Sequence, residues 1–319
     1  MAVLDFCFNL TDIIENGTVS GALADTDAGP YVDEGIRDYN APVVAFVEFA
    51  ERSSAWMTFV EYFSSSDMRT GGIYFLDAAG SEIASIRSNT SETFQMYVGG
   101  ALEGTSSPYA FGAQFPRFDF HLNVNASGEF TFYIAGSPVL SFSGDTANSG
   151  AFSGVARIEH RGIAVSSSSG IYNMLATDDD SRLYHVQQLS LTALGADQDW
   201  TGDYTAITED GYGFGAVMTS ETSGNKATFV TENTDGAFAS GYDVAAVAIS
   251  GVARNSFGQD RISGMVRSNG AYGYGPIVEL MPFDTNFKAL LTVDPNTAGA
   301  WSIAAVDAMQ VGFDHIAPA

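Results

Sequence analysis

Residues 118–145 read FDFHLNVNASGEFTFYIAGSPVLSFSGD, and this stretch decides the fold. Phe118, Phe120, Leu122 and Val124 alternate with Asp119, His121, Asn123 and Asn125, the period-two mark of a strand with one buried face. Ala126-Ser127-Gly128-Glu129 supplies a turn, after which Phe130, Phe132 and Ile134 resume the alternation. Gly136-Ser137-Pro138 turns the chain again, and Leu140 and Phe142 stand among serines. The pattern predicts three consecutive antiparallel strands.

The same texture extends in both directions. Strand-like runs occupy Leu4–Leu10, Val43–Phe49, Trp56–Phe63, Ile73–Leu76, Glu82–Arg87, Thr93–Val98 and Gly154–His160, with a hairpin expected about Ala78-Ala79-Gly80-Ser81. Residues 99–117, rich in glycine and serine, read as loop. Short strands punctuated by Gly, Ser, Asn and Pro predict a sandwich rather than βαβ units. A flexible run at Ser166–Gly170, followed by Asp178-Asp179-Asp180, marks a boundary within 161–182. Beyond it, Tyr184–Leu191, Ala227–Val230, Tyr242–Arg254 and Ile262–Ser268 are further strand candidates. The expectation is an all-β chain of two β-sandwich (jelly-roll) domains, 1–175 and 176–319. One short helix is expected near the C-terminus, where Ser302 can cap Ile303–Met309, and Val311-Gly312-Phe313 reads as a closing strand.

Composition narrows the function classes. The chain of 319 residues has 38 acidic and 13 basic residues, a formal net charge of −25, and only Lys226 and Lys288 as lysines. Phosphate contacts need clustered Lys and Arg, so nucleic acid is not an expected partner, and an anionic membrane surface would repel the chain. Such acidity suits a saline or extracellular setting and equally an ordinary acidic protein. Cys7 is the single cysteine, which precludes an intrachain disulfide. The opening MAVLDFCFNL lacks a basic n-region before an apolar core, so no signal peptide is expected, and no apolar run is long enough for a membrane helix.

No catalytic motif emerges. The Glu-x-Asp-x-Glu strand of sandwich glucanases, whose period of two aims all three acids into one cleft, is absent. Glu48 and Glu51, and Glu209-Asp210, are spaced to diverge. The histidines His121, His160, His185 and His315 are scattered, and His121 reads as a solvated strand residue. Calcium is the one ion with candidate ligands, at Asp25 and Asp27 and at Asp178, Asp179 and Asp180, although loop acids commonly just face water. Gly211-Tyr212-Gly213-Phe214-Gly215-Ala216 mimics a dinucleotide fingerprint, but acids precede it and no helix signal follows. Exposed aromatics remain. Tyr109, Tyr133, Tyr272 and Tyr274 lie among glycines and serines, and Asn269–Gly275 is the most loop-like setting. Tyr272 and Tyr274 are the candidate glycan-stacking rings, with Asp260 and Arg261 expected across the preceding hairpin as polar contacts; packing under loops is the competing reading.

Two regions resemble known families. The meander at 118–145 resembles the central strands of concanavalin A-like (laminin G or pentraxin-type) jelly rolls, with Ala135-Gly136 standing where such domains often carry Asn-Gly. Residues 185–317 resemble the C-terminal part of structural proteins of tailed bacteriophages and related particles. That resemblance is carried by Asp199-Trp200-Thr201-Gly202, Ala227-Thr228-Phe229, Gly241–Val247, Arg267-Ser268-Asn269-Gly270 and Asp294–Trp301. In those proteins a similar ending closes a terminal β-domain; here Ala298 precedes Gly299, a one-residue departure. The resemblance implies a virion component of the tail fibre, tail tip or head fibre kind. Its partners would be other virion proteins and a host-surface glycan, and it would form a homo-oligomer, a trimer or otherwise a pentamer. It would not be an enzyme. A particle-borne polysaccharide depolymerase and a secreted carbohydrate-binding protein are the alternatives.

Overall fold

A computed structural model describes residues 3–7, 22–24, 34–37, 44–63, 71–89, 93–109, 116–161, 169–183, 189, 191–202, 204, 218–234, 243–255, 260–282 and 285–318. Among the described residues strands account for 59% and helix for 4%, so the fold is all-β. It forms two compact units, Met1–Val186 and Gln187–Ala319.

In the first unit the strands run β1 Val3–Cys7, β2 Ala22–Ala24, β3 Glu34–Arg37, β4 Val44–Arg52, β5 Ser54–Phe63, β6 Gly72–Leu76 and β7 Glu82–Ser88. They continue as β8 Phe94–Val98, β9 Ala101–Thr105, β10 Arg117–Asn123, β11 Gly128–Ile134, β12 Ser137–Gly144, β13 Val155–Arg161 and β14 Ser169–Thr177. One sheet has the order β12-β11-β10-β5-β14-β3-β2, with β1 also on β14; the other is β4-β13-β6-β7-β8-β9. Every pairing is antiparallel. The inward residues of the meander, Phe118, Phe120, Leu122, Phe130, Phe132 and Ile134, meet Val47, Phe75, Ile83, Ile86, Met96 and Ile158 of the facing sheet in one buried cluster. Phe132 sits at its centre, stacked on Phe120 at 4.8 Å and edge-on to Phe94 at 4.8 Å. His160 is buried in this core, edge-on to Phe59, beside a small void lined by Ser88, Phe94 and Phe118. Burial pulls its imidazole pKa down to about 3.

Two-residue turns set the registers. Gly99-Gly100, Ala135-Gly136 and Asn269-Gly270 each have both φ values positive and each join directly paired strands. This is the turn whose twist matches that of the strands it links. Gly99-Gly100 therefore opens β9 within the stretch read as loop. Ser169-Gly170, read as part of a flexible run, begins β14, which pairs with β5 through Thr177 and so carries the first unit past residue 175.

The second unit contains β15 Leu191–Gln198, β16 Lys226–Thr231, β17 Val247–Ala253, β18 Arg261–Ser268, β19 Ala271–Tyr274, β20 Val278–Glu279, β21 Thr285–Leu291 and β22 Gln310–Ile316. One sheet is ordered β15-β16-β22-β18-β19 with β20 on β18; β17 and β21 form a separate pair. Val266 packs with Val247, Ala289, Leu291 and Trp301, and Ile262 with Phe287, so the two sheets close a second sandwich. Helix α1, Ile303–Ala308, starts as expected: Ser302 Oγ accepts from the Ala305 N–H, and Val306 and the C-cap Met309 are buried. Within Asp294–Trp301, Asp294 accepts from the Asn296 N–H and the Thr297 hydroxyl, Ala298 takes a left-handed φ of 54°, and Trp301 Nε1–H donates to the Leu291 carbonyl.

Candidate functional site

Asn269-Gly270 turns β18 into β19, so Tyr272 and Tyr274 lie on a strand rather than on the expected open loop. Their spacing of two puts both rings on one face, opposite Arg267 and Met265. The rings stand 6.2 Å apart at 25°. Gly273 between them points the other way, where an added Cβ would press on Leu291 and Pro295. Tyr274 is 47% exposed, and Tyr272 is half-buried.

Charged groups frame the rings. Tyr272 Oη donates to both oxygens of Asp197, at 2.9 and 3.1 Å, and Arg267 Nε lies 3.8 Å from the same carboxylate. Asp197 reaches across because β15 bulges between Leu194 and Gln198. There the Ala196 N–H donates to Gln310 Oε1 and the Asp197 N–H to Thr228 Oγ1, both at 2.9 Å. Lys226 Nζ stands 5.5 Å from the Tyr272 ring centroid and 3.5 Å from Asp314 Oδ2. Burial pulls the Lys226 pKa down, but Asp314 and Tyr274 outweigh it and hold the ammonium above its ordinary value. Burial, with Asp314 and Tyr272 nearby, raises the Tyr274 phenol against the pull of Lys226. Asp314 is buried, and its Oδ1 has no hydrogen-bond partner. The site is thus a pair of rings framed by two cation–carboxylate pairs, Arg267 with Asp197 and Lys226 with Asp314.

Asp260 and Arg261 do not join it. They sit at the opposite end of β18, where Arg261 donates from Nε and Nη2 to the Ala317 carbonyl and Asp260 Oδ1 lies 3.4 Å from His315 Nε2. Lys226, Asp197 and Asp314 were not singled out from the sequence, because they reach the rings only through sheet pairing and a bulge.

A second cluster occupies the outer face of the larger sheet in the first unit. The registers of β5, β10 and β11 set side chains in three rows: Ser54, Asn123, Glu129; then Trp56, His121, Thr131; then Thr58, Asp119, Tyr133. His121 stacks on Trp56 at 4.3 Å and 13°. Its side chain is 12% exposed, which corrects the reading of a solvated strand residue. The cover comes from the segment after β14. Arg182 places its guanidinium 4.3 Å from the Tyr133 ring centroid and 5.2 Å from that of Trp56. Arg117 donates to the Ser181 carbonyl and pairs with Asp119 at 2.9 Å. Under this segment Asp119 is fully buried with Oδ2 unpartnered, and burial pushes its carboxyl up against the pull of Arg117. Tyr109 packs on the first unit's core.

Of the calcium candidates, Asp25 and Asp27 lie outside the described residues, as do His185 and Glu209–Ala216. Asp180 is engaged by Arg182 at 2.8 and 2.6 Å, and these hydrogen bonds hold its carboxyl below the usual carboxylate range. Among the described residues no three His, Cys, Asp or Glu side chains converge as a metal site.

No family model matches the chain, and no curated protein matches it. Among solved structures a sialidase is similar at 14% identity, over 46% of this chain and 15% of that chain, with a TM-score of 0.38. The alginate lyase Aly36B is similar at 10% identity over 59% of this chain and 99% of that one, TM-score 0.38. A tetrameric galectin from Cinachyrella sp. (ball sponge) is similar at 12% identity over 42% and 97%, TM-score 0.31. Likeness this distant does not bear on function, which is argued below from the side chains.

Proposed function

We propose that this chain is a carbohydrate-binding protein and that Tyr272 and Tyr274 form its glycan platform. The observation that carries this reading is the half-exposed Tyr274 ring standing beside Tyr272, itself fixed by two hydrogen bonds to Asp197. An aromatic face held rigid binds at low entropic cost. The hydroxyls of a saccharide need both donors and acceptors; Lys226 and Arg267 supply donors, and Asp197 supplies acceptors.

The resemblance of residues 185–317 to phage structural proteins extends the proposal to a virion component that attaches to host glycan. Repeated copies on a particle would multiply a weak single-site affinity. A glycan array tests the binding reading. Wild type should bind glycan on the array, and Tyr272→Ala/Tyr274→Ala should lose at least 10-fold in affinity while remaining folded by circular dichroism. Equal binding by the double variant would overturn the site, and no binding of any glycan by wild type would overturn the function.

A further inference from the structure

The outer face of the first unit's larger sheet carries an arrangement that neither the sequence reading nor the glycan proposal uses. His121 Nδ1 lies 2.9 Å from Glu129 Oε1, and His121 Nε2 lies 3.1 Å from Ser54 Oγ. A carboxylate only accepts, so the bond to Glu129 requires the proton on Nδ1. That leaves Nε2 as an acceptor facing the serine hydroxyl. The ring is held in place by its stack on Trp56. Hydroxyl, imidazole and carboxylate thus stand in the order and through the same ring nitrogens that activate a serine nucleophile.

We propose that Ser54, His121 and Glu129 form a nucleophilic triad that hydrolyses carboxylic esters with a small acyl group. The proposal rests on this geometry and not on the glycan reading. Ser54 Oγ attacks the ester carbonyl carbon while its proton passes to His121 Nε2. The bond from that carbon to the alcohol oxygen breaks, His121 returns the proton to the departing alkoxide, and Ser54 is left acylated. Water, giving a proton to His121, then attacks the acyl carbon; the bond from that carbon to Ser54 Oγ breaks, His121 returns the proton to Oγ, and the carboxylic acid leaves.

The surroundings suit each role. Ser54 and His121 are half-buried, and Glu129 is 52% exposed at the rim, so the nucleophile meets solvent. Burial lowers the His121 pKa against the opposing pull of Glu129 and Asp180, with Arg182 also disfavouring the charged ring. The imidazole is therefore neutral, as a base must be, at neutral pH. Asn123, in the same row as Ser54, is the side-chain amide positioned to donate to the oxyanion.

The test uses the full chain with p-nitrophenyl acetate and a fluorophosphonate. The expected results are a single phosphonyl adduct on Ser54 by mass spectrometry and an acyl-enzyme burst. Ser54→Ala should lower kcat/KM about 1000-fold, and Glu129→Gln, which keeps the rim's shape, at least 10-fold. The kcat/KM profile should rise with pH along a limb whose midpoint lies below 6.5, set by His121. Absence of the Ser54 adduct on folded wild type, or hydrolysis by Ser54→Ala equal to wild type, overturns the proposal. Should Ser54→Ala misfold, wild-type labelling and the Glu129→Gln rate decide the matter alone.

Discussion

Acid should destabilise the first unit chiefly through His160. It is 5% exposed, inside the aromatic core, with Phe59 edge-on at 6.0 Å. Its pKa falls from 6.5 to about 3 on folding because burial penalises the imidazolium. The unfolded chain therefore binds a proton that the folded chain refuses throughout the window between those values. Stability is fully present above about pH 6.5, falls as pH is lowered through the window, and levels off below about pH 3. At ~1.4 kcal/mol per unit the total loss is about 5 kcal/mol, a large part of the stability of a typical domain. Urea unfolding should be followed at pH 7, 5.5 and 4.5 through Trp56, with Trp200 and Trp301 replaced by Phe. The same series on His160→Leu removes the titrating group and leaves the carboxylates in place. The difference between the two proteins should grow by up to ~1.4 kcal/mol per unit below pH 6.5. An NMR titration showing the His160 ring protonating near 6.5, or parallel pH profiles for the two proteins, would refute the reasoning.

Other consequences follow from the same structure. Phe132→Ala removes the ring shared by Phe94, Phe118 and Phe120 and should cost about 3–5 kcal/mol in the first unit's unfolding free energy. Ala135 and Ala298 hold φ of 48° and 54°, a conformation costly for a residue with a Cβ. Each replacement by glycine should therefore raise stability by up to about 1 kcal/mol, read as a higher urea midpoint at unchanged slope.

Much of the first unit is legible in residues 118–145, because period-two alternation and two short turns leave one register. The observed register centres the turn on Ala126 and takes Gly128 and Glu129, read as turn, into β11, so Asn123 faces Glu129, His121 Thr131, and Asp119 Tyr133. Two-thirds of the outer rows can thus be read from the hairpin alone. The remaining third is non-local. That β5 lies beside β10, bringing Ser54 and Trp56 to His121, depends on a pairing between strands more than sixty residues apart (|i−j| = 67 for the Ser54–His121 contact). The burial of Asp119 depends on Arg182 and Ser181 folding back over the sheet, which no alternation encodes. In the second unit, glycines concealed strands. Gly273 and Gly275 read as loop, whereas an added Cβ at either would strike Leu291 or Ala289, so the glycines serve close sheet packing. Asn269-Gly270 is itself a hairpin signal, which the loop reading of 269–275 passed over; it joins β18 to β19 and sets Tyr272 and Tyr274 on one face. The contribution of Asp197 was hidden because a bulge breaks the period on which a strand reading relies.

The central claim is that the Tyr272–Tyr274 face binds sugar, and hydroxyl-radical footprinting with mass-spectrometric readout tests it most directly. Tyr274 is 47% exposed in the free chain and should be oxidised readily. With a saturating oligosaccharide identified on the array, oxidation of Tyr274 should fall severalfold while that of the similarly accessible Leu102, 52% exposed in the first unit, stays unchanged. Unaltered oxidation of Tyr274 in the saturated complex would contradict the account.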